Sequence, residues 1–287
     1  MAVLTVQNLC YGYAKGTPFE KAVLHDVCCT FGEGEIVAVI GHTGSGKSTL
    51  LQHLNGLLKP DSGDVLLDGE SIYRSKAALR ECRFRVGMCF QYPEQQLFES
   101  TVRDDIAFGP KNQKLAADEI DRRVKESLAY VGLRESYADK SPFDLSGGEK
   151  RRVAIAGVLA MEPEVLILDE PSAGLDPAGK KALLKLITDY HAQTGSTVIF
   201  VSHDMDDVAE IADRVLVLSK GRAVMSGTTR EVFARADELL EMGLGLPEAT
   251  SVMLRLRHEG LDVPTDVFTA EEAAAALLAF ARKGAGV

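Results

Sequence analysis

One run of residues constrains this chain more than any other. Gly41, His42, Thr43, Gly44, Ser45, Gly46, Lys47, Ser48 and Thr49 fit the pattern G-x-x-x-x-G-K-[ST]. An apolar β-branched segment, 36–40, precedes them, and a helical pattern over 48–58 follows. Glycines at these places let backbone N–H groups turn inward around a polyphosphate. The start of the following helix adds its partial positive charge. Lys47 is then placed to reach the β- and γ-phosphates of ATP, and the Ser48 hydroxyl to hold Mg²⁺. The competing reading is a chance glycine-rich turn. With average composition, four fixed positions match somewhere in a chain this long about once in a hundred, and the strand and helix on either side lower that further.

Buried strands and helices alternate along much of the sequence. Segments 36–40, 165–168, 197–201 and 215–218 are continuously apolar, as strands covered on both faces are. Helical patterns at 48–58, 177–193 and 205–212 lie between them, which predicts an α/β fold with a parallel sheet. Residues 4–31 and 63–69 alternate apolar and polar side chains and carry turn signals such as Asp68-Gly69, which predicts an antiparallel β subdomain. The strand signal disappears between about 93 and 161, where 116–131 and 147–160 read as helices of an inserted subdomain. The expected division is a domain over 1–234 and a small helical tail over 235–287. In the tail, Pro247 and Gly260 bracket one helix. Thr269 and Glu272 form a capping box before an alanine-rich helix that stops at Gly284.

Composition excludes several classes. At 46% hydrophobic and 26% charged, the chain is globular rather than disordered. Its longest apolar run, 273–281, is far short of the ~20 residues a membrane-spanning helix needs. The opening MAVLTVQNL lacks the basic residues and apolar stretch of an export signal. Five cysteines (Cys10, Cys28, Cys29, Cys82, Cys89) form no CxxC pair, so reduced thiols in a cytoplasm are expected. The net charge of −10 argues against nucleic acid as a partner. It does not argue against ATP. Charges farther than roughly 8–10 Å are screened, whereas a cation at ~4 Å contributes on the order of 4 kcal/mol.

The strand 165–168 ends in two carboxylates, Asp169 and Glu170. Beside a phosphate loop, the first reads as an Mg²⁺ ligand, usually through water, and the second as the base that polarises an attacking water. Standing alone, the pair would be an ordinary strand end with solvated acids.

Leu145, Ser146, Gly147, Gly148, Glu149, Lys150, Arg151 and Arg152 follow at the start of a predicted helix, upstream of Asp169. This LSGG run between two nucleotide motifs resembles the signature of the ATP-binding cassette (ABC) family, and the other markers fall in order. Tyr13 matches the aromatic residue that stacks on adenine. Gln91, ending a predicted strand over 85–90, matches the Q-loop glutamine, a catalytic and metal position. The run 172–176, with Asp176, matches the D-loop, and His203 matches the switch histidine. The resemblance implies a P-loop NTPase (RecA-like) fold. It also implies that Ser146, Gly147 and Gly148 close over the ATP of a second ABC ATPase, a paralogue or another copy, in a head-to-tail dimer. The basic run 150–152 reads as a solvated face that neutralises acids near that interface.

One chain with one set of motifs, no spanning segment and no long heptad insert resembles a stand-alone transporter ATPase. Residues 90–98, 101–109, 152–157 and 244–250 are similar to the ATPases of energy-coupling factor (ECF) transporters. The closest form is the second of the two paralogous subunits, also near cobalt-type ATPases. This resemblance implies a transmembrane T component docking near 92–98, a substrate-binding S component, and a place on the cytoplasmic face of the membrane. The solute it implies is a vitamin, cobalt or nickel. Leu97, Phe98 and Val102 read equally as docking patch and as subdomain core. Glu149 and Ser172 depart from the commoner glutamine and threonine without removing a phosphate ligand or the base. Two other readings stay open: the ATPase of another ABC importer or exporter, and a soluble ABC ATPase acting on nucleic acid.

Overall fold

A computed structural model describes residues 2–284; the last three residues of the expected tail lie outside the described residues. The chain runs β1 (Ala2–Tyr13), β2 (Lys21–Gly32), β3 (Ile36–Ile40), α1 (Lys47–Leu54), β4 (Ser62–Leu67), β5 (Glu70–Ser71), α2 (Lys76–Arg85) and β6 (Val86–Cys89). Then come α3 (Val102–Asn112), α4 (Ala117–Tyr130), α5 (Gly147–Leu159), β7 (Val165–Asp169), α6 (Pro177–Thr194), β8 (Thr197–Val201), α7 (Met205–Ile211), β9 (Arg214–Ser219) and β10 (Arg222–Thr228). Four helices end it: α8 (Thr229–Phe233), α9 (Ala236–Glu241), α10 (Glu248–His258) and α11 (Ala270–Gly284).

The central sheet has the order β10-β9-β3-β8-β7-β6, parallel except for the edge strand β10. Every residue of β3, β7 and β8 is buried, which is why these segments are apolar without alternation. Their side chains nonetheless part by face. Ile36, Ala38 and Ile40 join a core with the helices α3–α5, while Val37 and Val39 join a second core beneath the antiparallel sheet β2-β1-β4-β5. Helices α3, α4 and α5 lie together between β6 and β7, where the strand signal had disappeared.

Three local expectations are revised. The strand expected over 85–90 is shorter, because Arg85 ends α2 and forks onto Glu164 and Asp68. A guanidinium with carboxylates in reach is better placed there than in the sheet. At α11, Thr269 caps the Glu272 amide at 3.2 Å, but the Glu272 carboxylate returns to the Phe268 amide rather than to that of Thr269. Nor is the basic run solvated throughout: Lys150 and Arg152 are half-buried and Arg151 is buried. Arg151 is 6% exposed; it bonds the carbonyls of Pro171 and Ala173 at 3.3 and 2.8 Å and the Glu94 carboxylate at 3.2 Å. It ties α5 to the loops after β6 and β7, a buried charge held by several acceptors.

The segment after α8 packs in two ways. Leu239, Leu244 and Phe268 belong to the main core, whereas Met253, Val263, Val267 and Ala273 form a small core between α10 and α11.

Candidate nucleotide and hydrolysis site

Strand register assembles the site. Val201 at the end of β8 pairs with Val39 of β3 on one side and with Asp169 of β7 on the other, and Cys89 of β6 pairs with Leu168. The carboxyl ends of four parallel strands are therefore level, which is where open α/β sheets bind ligands. The loop 41–46 follows β3, Gln91 follows β6, Asp169 and Glu170 end β7, and His203 follows β8.

The lysine of the loop is held within its own chain. Gly46, the residue before α1, has φ +103, and a Cβ there would lie 2.7 Å from Leu24 Cδ2 of β2. Only glycine suits that conformation and that approach. Lys47, 8% exposed, donates to the carbonyls of Gly41 at 2.6 Å and His42 at 3.0 Å. Burial holds its ammonium below the ordinary lysine pKa, against the raising pull of Glu170 and Asp169. His42, Thr43, Gly44 and Ser48 are exposed, while Gly41, Ser45 and Thr49 are buried. Ser45 Oγ is a buried polar atom left without a partner, spare hydrogen-bonding capacity within the cradle. Tyr13, 40% exposed, donates to or accepts from Thr49 Oγ1 at 3.2 Å and meets Tyr11 edge to face at 5.0 Å. Tyr11 in turn packs on buried His53, so Tyr13 is the one whose ring is offered to solvent beside the loop.

Asp169 is 7% exposed; burial pushes its carboxyl above the usual range, against a lowering bond from the Ser48 hydroxyl. Glu170 follows with φ +48, the left-handed region a glutamate rarely adopts. The turn brings its Oε2 to 2.9 Å from Gln91 Nε2, which donates, and to 3.9 Å from His203 Nδ1. Glu170, Gln91 and His203 thus form one cluster. Ser48 and Asp169 offer hard oxygen donors already in contact. No group of three His, Cys, Asp or Glu side chains fit to hold a metal occurs among the described residues. That donor set fits Mg²⁺, which keeps waters and shares nucleotide phosphates rather than needing a full protein cage.

The signature residues stand apart. Ser146 caps α5, and Glu149 completes the capping box by accepting from the Ser146 amide and hydroxyl at 2.8 and 2.7 Å. These bonds and the Tyr137 hydroxyl hold the Glu149 carboxyl down at about 2. Gly147 and Gly148 are exposed, and a Cβ on either meets nothing within 4 Å. No hydrogen bond or ion pair joins these residues to the phosphate loop among the described residues. Asp176 caps α6, accepting from the Gly179 amide at 2.7 Å. Ser172 donates to Asp207 at 3.3 Å.

The patch after Gln91 divides. Val102 is fully buried and Leu97 packs on the main core, but Phe98, 58% exposed, meets exposed Phe108 edge to face at 5.0 Å. Two features escaped sequence reasoning. Arg151 is buried, and the His42 ring bonds the Met242 carbonyl of the C-terminal segment. The first had a local hint in its position on a helix turned toward the core; the second had none.

Comparison with known proteins agrees with this geometry. The sequence model of the ABC transporter family matches residues 24–173. The energy-coupling factor transporter ATP-binding protein EcfA2 of Clostridium perfringens is 51% identical over 97% of this chain and 98% of its own length. That of Symbiobacterium thermophilum is 55% identical over 95% of each. Among solved structures, cbiO1 of Clostridium perfringens, part of the ABC transporter complex cbiONQ, superposes with a TM-score of 0.74 and 41% identity, covering 90% of this chain and 98% of that one. A dimeric post-hydrolysis state of the cassette MJ0796 bound to ADP and Pi gives 0.71 and 28%, covering 79% and 98%. Strand-end cluster, phosphate loop and relatives agree: the chain belongs to the ABC transporter family, among the ATP-binding subunits of energy-coupling factor transporters.

Proposed function

We propose that this chain is one of two ATPases that close head to tail over two ATP and drive uptake of a vitamin or transition-metal ion. The observation that carries this reading is the division of the site: catalytic groups at one set of strand ends, and an exposed, unengaged signature turn at α5. Tyr13 stacks on adenine. The loop 41–49 cradles the phosphates, with Lys47 on the β- and γ-phosphates. Ser48, Asp169 and Gln91 hold Mg²⁺, which when bound neutralises charge on the phosphates. Glu170 polarises the attacking water, and Gln91 and His203 orient it and sense the γ-phosphate. Ser146, Gly147, Gly148 and Asp176 serve the partner's nucleotide across the interface.

Closure of such a dimer is work done by differential affinity for ATP between open and closed states. The exposed Phe98–Phe108 pair beside the Q-loop is where a T component in the membrane docks, with an S component recognising the solute. The chain then sits peripherally on the cytoplasmic face of the membrane. Residues 1–234 are the ATPase domain, with an inserted helical subdomain at about 93–161, and 235–287 the appendage. Glu170→Gln tests the mechanism. Turnover is expected to fall by about 10²–10⁴, with Mg·ATP binding retained and the closed dimer accumulating on a sizing column. Unchanged turnover would remove Glu170 as base. Affinity purification from gently solubilised membranes tests the partners, since a conventional permease in place of T and S components would overturn that part.

A further inference from the structure

The C-terminal segment touches the phosphate loop of its own chain. His42 Nε2 is hydrogen-bonded to the Met242 carbonyl oxygen, which makes the Nε2–H the donor. Met242 is the C-cap of α9, so its carbonyl is one of those a helix end leaves without an internal partner. Gly243 beside it has φ +65, and a Cβ built there would lie 3.1 Å from His42 Nε2 and 3.2 Å from Cε1. The turn therefore seats the imidazole closely, and a side chain at 243 would press on it.

The seat is anchored. Gly243 N donates to Leu240 O at 2.7 Å and Leu244 N to Leu239 O at 2.8 Å, closing the helix end. Leu239 and Leu244 are buried in the main core, with Met242 and Leu246 packed against it. A few residues on, the Glu248 amide donates to Asp206 Oδ1 at 2.9 Å, on the helix that follows His203. One segment thus reaches both the phosphate loop and the element behind the histidine.

On the loop side, the His42 carbonyl accepts Lys47 Nζ and the Ser45 amide, each at 3.0 Å. Ring and carbonyl of one residue are consequently held by the appendage and by the phosphate-binding lysine. A polyphosphate that draws Lys47 off the Gly41 and His42 carbonyls must move this residue's backbone or leave it where the turn holds it. We propose that His42 is a positioning residue through which the 242–246 turn sets the conformation of the phosphate loop, so that nucleotide binding and the packing of the C-terminal helices are linked. The linkage is reciprocal: whatever alters the seating of the appendage alters ATP affinity, and ATP alters the appendage. The inference rests on the reading of 41–49 as the phosphate cradle.

The test uses the full-length chain and measures Mg·ATP affinity together with amide hydrogen exchange over 239–258. Gly243→Ala is expected to weaken Mg·ATP binding by roughly fivefold or more. His42→Ala is expected to weaken it too, and adding Gly243→Ala in that background should change affinity no further. His42→Gln, which keeps an amide donor, should restore part of the loss. Mg·ATP should change exchange at 243–250 in the wild type and not in His42→Ala. Independent, additive effects of the two substitutions, or exchange that responds to Mg·ATP equally with and without the ring, would overturn the linkage. A wild-type chain that binds no Mg·ATP would remove the nucleotide reading itself, which intact binding without coupling leaves standing.

Discussion

The phosphate loop and the signature turn are both helix starts rich in glycine, yet they end in opposite states. At the loop, Lys47 is buried and bonded to two carbonyls of its own chain, and Gly46 is pressed against Leu24. At the signature turn, Gly147 and Gly148 face open space, while Ser146 and Glu149 serve each other as a cap and the Tyr137 hydroxyl donates to Glu149. The first is a site completed by folding. The second is a helix N-terminus made rigid and left exposed, with the partial positive charge that favours an anion. Glycine is used for conformation and close approach in one place and for clearance in the other. On the proposed reading, a chain built this way binds nucleotide alone and needs a second chain to finish the chemistry.

Lys47→Ala should break the first region outright. Removing a buried cation at about 4 Å from phosphate forfeits ~4 kcal/mol, so Mg·ATP binding to the single chain should weaken about a thousandfold; titration with a fluorescent nucleotide checks it. Gly148→Asp sharpens the contrast. Its Cβ meets nothing, and an acid in the first turn suits the helix, so melting temperature and single-chain nucleotide binding should be unchanged or slightly improved. Turnover and ATP-driven association should nevertheless fall roughly a hundredfold, because in the proposed dimer the new carboxylate faces a partner's phosphate with some screening. Loss of single-chain binding in this variant would contradict the separation of the two regions.

The smallest effect concerns stability. Asp169 is buried and its carboxyl pKa is raised by that burial. The folded state therefore keeps its proton to higher pH than the unfolded chain does, and above the raised pKa the charged group opposes folding. Asp169→Asn should raise the melting temperature of the nucleotide-free protein by roughly 2–4 °C near neutrality. The gain should shrink as pH falls through the folded carboxyl's pKa, where the native side chain becomes neutral too. Calorimetry across pH checks the sign; a gain that grows on acidification would contradict it.

Much of the fold was legible because its signals are local. Strands β3, β7 and β8 show as unbroken apolar runs, and α6 lies between Pro177 and Gly195, one residue beyond its expected end. Helices α2 and α3 were not anticipated. The sequence of α2, KAALRECRFR, buries only Ala78 and Cys82, and α3 continues through Pro110 near its end. The site was legible as motifs, since phosphate chemistry demands fixed residue types at fixed spacing. Its assembly was not: Gln91 meets Glu170 across 79 residues because β6 and β7 pair in register.

By itself, then, the sequence determined what depends on neighbours a few residues away: the glycine-rich loop after β3, the buried strands, and the motifs on which the proposed acid, base and signature roles rest. Tertiary structure alone decided which of these groups meet. Arg151 is charged and looked exposed, yet its partners at Glu94, Pro171 and Ala173 make a buried position affordable. His42 lies 200 residues from the carbonyl it bonds. Such contacts depend on the packing of whole elements, and the short range of sequence patterning carries no record of them.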